Sequence, residues 1–193
     1  DFGSAEFSKR DVMMRFVGVM AKLPMKRGNR IGALVLNPAE PEGIKYIPAR
    51  MHRRHLLHLL HVLAYSPTTQ KAHQTQLNDW LKKANGLFKR RSTVFVVSDF
   101  MGVFNWASEL CALGRRHETV AVRLFDPAEI NLPKAGLMLL KDSETSEQLL
   151  LDTTNQKFRS RYVQMVEKRE QQLASLFAQA GVDALELSTD EDL

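Results

Sequence analysis

The chain has 193 residues, 44% hydrophobic and 25% charged, with 10 Gly, 7 Pro and one cysteine, enough for a single globular domain with a real core. The lone Cys111 excludes a disulfide framework and a cysteine-based zinc site, and no apolar run approaches the roughly 18 residues of a membrane helix. The net charge of +5 is unevenly spread: residues 142–193 hold 11 acids against 5 bases, leaving a basic body and an acidic tail.

Residues 9–23 place Val12, Met13, Phe16, Val17, Met20 and Leu23 at three- and four-residue spacing, which predicts an amphipathic helix. Ser8 is placed to cap it, with Asp11 three residues on, and Pro24 is expected to end or kink it. Ile31 to Leu36 is a continuous apolar run suited to a strand buried on both faces. Gly43 to Ile47 alternates and stops at Pro48, which predicts an exposed edge strand. His52 to Ala64 reads as a helix with Leu56, Leu57, Leu59, Leu60 and Leu63 forming a broad core stripe, and Gln76 to Phe88 as another.

Ser92 to Val97 is the clearest strand in the chain and runs straight into Ser98 and Asp99. A helix from Trp106 to Leu113 and a strand from Thr119 to Phe125 follow, closed by the Asp126-Pro127 turn. Gly136 to Leu140 and Gln148 to Leu151 flank Asp142 to Ser146 in the layout of an antiparallel hairpin. Asn155 or Thr154 is placed to cap a long helix through Ala180, ended by Gly181, and Ala184 to Leu187 forms a last strand. Strand and helix alternate, so the expected fold is a single α/β domain over residues 1–193 with a doubly wound, mostly parallel sheet and a C-terminal antiparallel hairpin.

In open α/β sheets ligands bind beyond the carboxyl ends of the strands, and Asp99 is the foremost candidate there. The pattern leaves open whether its carboxylate holds a cation or caps the following helix. His52, His55, His58 and His61 recur every three residues, but that spacing drifts around the helix and favours a polar face over a metal site. Trp80 and Trp106 fall at helical positions and read as core or partner surface, and Cys111 as a small buried hydrophobe. No nucleophile elbow, phosphate loop or dinucleotide fingerprint is present, so the residues give an enzyme reading no support. Arg53-Arg54, Lys82-Lys83, Lys89-Arg90-Arg91 and Arg115-Arg116 invite a nucleic-acid reading, but no stacking platform accompanies them, and they read as solvated cations near helix ends.

Arg90 to Phe100, Arg115 to Pro127, Leu132-Pro133, Gly136, Asp142 to Thr145, Asp152-Thr153 and Leu187 to Asp190 resemble, in order and spacing, the MoxR-associated von Willebrand factor A-like proteins of bacteria. Phe2-Gly3-Ser4 and Lys9 look like the segment just after that family's metal motif, and Arg27 to Gly32 like its Gly-Asp-Arg-Val-Gly. The resemblance covers nearly the whole chain. It implies a von Willebrand factor A type sheet and a metal-ion-dependent adhesion site, in which a DxSxS loop, a threonine and an aspartate hold a divalent cation whose shell a partner carboxylate completes.

Carried onto this sequence, Thr75 matches the threonine, although Gln74 stands where relatives have glycine. Asp99 matches the aspartate, with Ser98 as support. The DxSxS is not in the sequence, so the family's first, central strand is expected to be missing and Asp1 to be a boundary within a longer polypeptide. Mg2+ or Mn2+ is expected in the intact protein and only weak or absent binding in residues 1–193. The resemblance further implies a non-enzymatic, metal-dependent protein-binding adaptor beside a MoxR-type AAA+ ATPase and a client protein. The expected setting is cytoplasmic, without nucleic acid or a membrane span, and a strand-swapped oligomer is one way to complete the sheet. The alternative is a nucleic-acid-binding or hydrolytic α/β domain using the basic body.

Overall fold

Ser8 opens the first helix as its spacing foretells: its hydroxyl accepts from the Asp11 backbone N–H, and the Asp11 carboxylate accepts from the Ser8 N–H in return. This reciprocal capping box satisfies two of the free N–H groups at a helix start. The computed structural model describes residues 7–37, 40, 43–66, 77–130, 136–141 and 148–190. Helix α1 spans Lys9–Lys26 and therefore runs past Pro24. The proline lies in the last turn, so it forfeits a single bond to the Met20 carbonyl with little helix left to disrupt, and its own carbonyl accepts from Arg27 and Asn29 as the chain leaves.

Strands β1 (Ile31–Leu36) and β2 (Ile44–Arg50) pair antiparallel in a sheet of their own. The expectation of a doubly buried β1 is overturned, since Val35 alone of its residues is fully buried. Nor does β2 stop at Pro48. The register slips between Ile31 and Ala33, and this bulge accommodates a proline that cannot donate to a ladder. Gly32 makes the crossing possible: a Cβ there would lie 2.6 Å from the Ile47 carbonyl oxygen and 2.8 Å from the Ala49 nitrogen.

Helix α2 (Arg53–Tyr65) follows. Of the five leucines expected in its core stripe only Leu59 and Leu63 are buried, and Leu57 points to solvent, because among the described residues α2 packs chiefly on α1 and the small sheet. Helix α3 (Leu77–Leu87), strand β3 (Thr93–Ser98), helix α4 (Ala107–Arg116), strand β4 (Glu118–Phe125) and the short α5 (Pro127–Ile130) come next. Then come β5 (Leu137–Lys141) and β6 (Gln148–Asp152), which pair antiparallel as the predicted hairpin. Helix α6 (Gln156–Ala180) is capped by Asn155 and ended by Gly181 at φ 66°, and β7 (Asp183–Ser188) closes the chain.

The main sheet is parallel, three-stranded and ordered β3-β4-β7. Side chains alternate across it. Val94, Val96 and Ala121 face a core shared with α3, α4 and α6, while Phe95, Val97, Val122, Leu124 and Leu187 face α1. The described residues thus form a mixed α/β fold with helices on both faces of a parallel three-stranded sheet, and the remaining strands form two separate antiparallel pairs, the second of them the expected C-terminal hairpin.

Candidate functional site at the carboxyl edge

Because β3, β4 and β7 are parallel, their carboxyl ends bring Ser98-Asp99, Phe125-Asp126 and Ser188-Thr189 to one edge. The loop leaving β3 is stiff. Phe100 adopts φ 51°, a left-handed conformation costing a non-glycine residue about 1 kcal/mol. Its fully buried ring meets Trp106 at 5.2 Å and Phe177 at 5.0 Å between centroids and holds it there. Ser98 Oγ accepts from the Phe100 N–H at 3.1 Å, and Asp99 Oδ1 accepts from the Met101 N–H at 3.1 Å. Asp99 therefore closes a local turn instead of capping α4, whose N-cap is Trp106. Its side chain remains 45% exposed.

A cation already stands beside it. Lys9, at the start of α1, donates to both Glu129 oxygens at 2.7 and 2.9 Å, and its Nζ lies 3.9 Å from Asp99 Oδ2. Tyr162 of α6 donates to the Glu129 carbonyl at 2.5 Å. Burial, and then the nearby Glu129 charge, hold the phenol above its ordinary pKa, so it stays protonated as that donor. Behind this cluster Asp126 is fully buried, accepting from Thr189 Oγ1 at 3.0 Å and from the Ala128 N–H at 2.9 Å. These bonds tie the ends of β4 and β7 together.

Ser98 and Asp99 are thus brought together at the expected edge, while Thr75 lies outside the described residues. Magnesium takes near-octahedral oxygen coordination and dehydrates reluctantly. One hydroxyl and one carboxylate, with an ammonium 3.9 Å from that carboxylate, do not fit it unaided. Among the described residues no three His, Cys, Asp or Glu side chains cluster as a metal site.

The other candidates have local roles. His52 precedes α2, His55 Nε2 lies 2.9 Å from the Ile31 carbonyl oxygen, and His61 stacks on Tyr65. Trp106 is core, Trp80 is half-buried, and Cys111 is half-buried against the same core. Arg116 donates to the Asn85 and Phe88 carbonyls. Arg53-Arg54 stands exposed at the start of α2, near a helix end as expected, whereas Lys82-Lys83 lies mid-helix in α3.

Sequence reading missed Glu129, Tyr162 and Arg123. Arg123 is buried in β4 and forms a two-pronged ion pair with Glu170 and a third bond to Glu186 at 3.0 Å. The overlooked signal was a charged residue in mid-strand, which requires a partner from another element.

The family described as "Protein of unknown function DUF58" matches residues 1–172. The chain belongs to the DUF58 family. Similar proteins include the uncharacterized Rv1480 of Mycobacterium tuberculosis and Mb1516 of Mycobacterium bovis, each 29% identical over 194 residues that cover all of this chain and 59% of the relative. The uncharacterized protein MAV169 of Mycobacterium avium is 28% identical over 76% of this chain and 86% of its own length. This DUF58 chain thus spans about three fifths of the first two relatives. A solved structure of an uncharacterized membrane-spanning protein from Vibrio fischeri aligns with 90% of the chain and 76% of its own, at 13% identity. Its TM-score of 0.24 carries no argument about fold. No described helix here is long and apolar enough to cross a membrane.

Proposed function

We propose that this DUF58 chain is a non-enzymatic, von Willebrand factor A-like protein-binding module that works with a MoxR-type AAA+ ATPase on a client protein, through the carboxyl edge centred on Asp99. The observation that carries the reading is the pairing of an exposed carboxylate with a rigid, Phe100-anchored loop at the ligand-binding edge of a parallel sheet. The ATPase supplies the energy, and this module supplies recognition.

The sheet edges support the same reading. Among the described residues β1 pairs only with β2, and β3 only with β4. Yet Leu34 of β1 packs into the same core as Val94 and Val96, and Met13 and Val17 of α1 pack against the clusters of both sheets. A strand seated between β1 and β3 would join the two sheets, and in a von Willebrand factor A type domain that strand carries the DxSxS loop. Mg2+ or Mn2+ belongs to the proposal only for a protein bearing those oxygens as well as Thr75 and Asp99. What residues 1–193 supply on their own is the partner-facing aspartate. In this proposal the strand, which residues 1–193 do not contain, belongs to a longer polypeptide and reaches the sheet either within one molecule or by exchange from a second copy of that longer protein.

Gel filtration of the protein mixed with the MoxR-type ATPase tests the reading. Co-elution is expected for the unmodified protein and is lost for Asp99→Ala, whose partly exposed side chain makes the substitution compatible with folding. Co-elution unchanged by Asp99→Ala contradicts the site.

A further inference from the structure

Next to the Asp99 loop lies a second feature that the proposed function does not use. An open cleft of about 410 Å³ runs between the β3–α4 loop, α5 and the N-terminal half of α6. The fully buried side chains of α6, Leu173, Phe177 and Ala180, all lie in its last eight residues, so its first half flanks the cleft without being packed into the core. The walls carry two flexible apolar side chains, Met101 at 49% and Met165 at 60% exposure, and Val166 lies beside them. Solvated methionines lining a concavity are the adaptable surface that accommodates varied apolar partners.

The charges decide what kind of partner fits. Of the carboxylates at the cleft, Glu170 is taken by Arg123 and Glu129 by Lys9. Arg169 is half-buried: it donates to the neutral Phe100 and Gly102 carbonyls and stacks on Phe104, its Nε is buried, and among the described residues no carboxylate pairs with it. Lys168 is exposed and belongs to no ion pair among the described residues. The lining thus carries three cations, Arg123, Lys168 and Arg169, against two carboxylates, Glu129 and Glu170, beside an apolar trough.

We infer that this cleft docks a segment of another protein that sets an acidic side chain next to an apolar anchor, the acid meeting Lys168 and Arg169 and the anchor lying between Met101 and Met165. The docking needs no divalent ion and no Asp99 carboxylate, so it stands or falls separately from the function proposed above.

The test is methionine-methyl NMR on protein labelled at the methyl carbon, in chelator, with a set of short synthetic Leu/Asp/Glu peptides as probe and Leu/Lys peptides of the same length as control. The expected result is a shift of the Met101 and Met165 signals by at least one acidic peptide, with the signals of Met13, Met14, Met20 and Met51 unmoved. Lys168→Glu then weakens binding about fivefold or more, and Met165→Ser weakens it as well. Both substituted side chains are solvent-exposed, so the fold is kept. No shift with any acidic peptide overturns the inference, as does an equal shift with the Lys peptides or one indifferent to both variants. Shifts at Met101 and Met165 that grow with protein concentration alone also overturn it, by making a second copy the occupant.

Discussion

Lys9 joins three elements with one ammonium group, and its removal has a defined cost. Lys9→Met leaves Glu129 partly buried without its cation, and the loss expected in urea unfolding is about 2 kcal/mol, for a pair only 15% and 25% exposed. A loss near zero would show the pair to be solvated and dispensable. His117 gives a pH dependence. It is 5% exposed, neither ring nitrogen has a well-formed hydrogen bond among the described residues, and Phe88 meets it edge-on. Burial, and secondarily the Arg116 charge, push its pKa below the ordinary 6.5. The unfolded chain then binds the proton more readily than the folded one, so stability is complete above about pH 6.5 and falls as the pH drops toward the lower folded value. Urea midpoints at pH 7.5 and 5.5 should differ more for the unmodified protein than for His117→Phe, and equal differences would remove His117 from the account. At this scale the sequence was partly readable. Asp99 and Ser98 stand out because they leave an apolar strand at a ligand-binding edge. Glu129 and Tyr162 do not, since their meaning depends on where α5 and α6 come to lie.

Among the elements, the hairpin of β1 and β2 shows where local pattern and tertiary context part. Ile31 to Leu36 is apolar throughout, which in a central strand means burial on both faces, yet β1 has one hydrogen-bonded neighbour among the described residues and is only half-covered. Pro48 signals a strand end only when the strand is regular, and the bulge opposite Gly32 makes it irregular. A Gly32→Ala methyl would press on β2 backbone at 2.6 and 2.8 Å, which cannot rotate away as a side chain can. A destabilisation of about 2 kcal/mol is expected, with exchange of the β1 and β2 amides accelerated before those of β3 and β4. Uniform acceleration across all strands would contradict the separation of the two sheets. By contrast, α6 was legible end to end and α1 at its start, because Ser8, Asn155 and Gly181 are local signals that operate in the structure as spacing foretells, whereas the end of α1 runs two residues past the expected stop at Pro24. Arg123 ties β4 to α6 and β7 through Glu170 and Glu186. Glu170→Ala, which strips most of the compensation from a buried guanidinium, is expected to cost about 2 kcal/mol by thermal or urea unfolding, and a neutral outcome would mean that water reaches Arg123.

For the whole molecule, the alternation of strands and helices foretold an α/β fold with helices on both faces of a parallel sheet, and that much is present. The described strands fall into separate sheets, with β1 paired to β2 and β3 to β4, and the proposed von Willebrand factor A reading places between β1 and β3 a strand that no described residue provides. A protein carrying that strand is expected to unfold at a higher urea concentration than residues 1–193 and to resist self-association, which analytical ultracentrifugation would register. Equal stability and equal association in the two would count against a missing central strand. The central claim concerns the carboxyl edge, and hydrogen–deuterium exchange of the protein with and without the MoxR-type ATPase tests it most directly. New protection is expected at residues 98–105 and 126–130, absent when Asp99→Ala replaces the unmodified protein. Protection confined to β1, β2 and α2, or unchanged by that substitution, would place recognition elsewhere and contradict it.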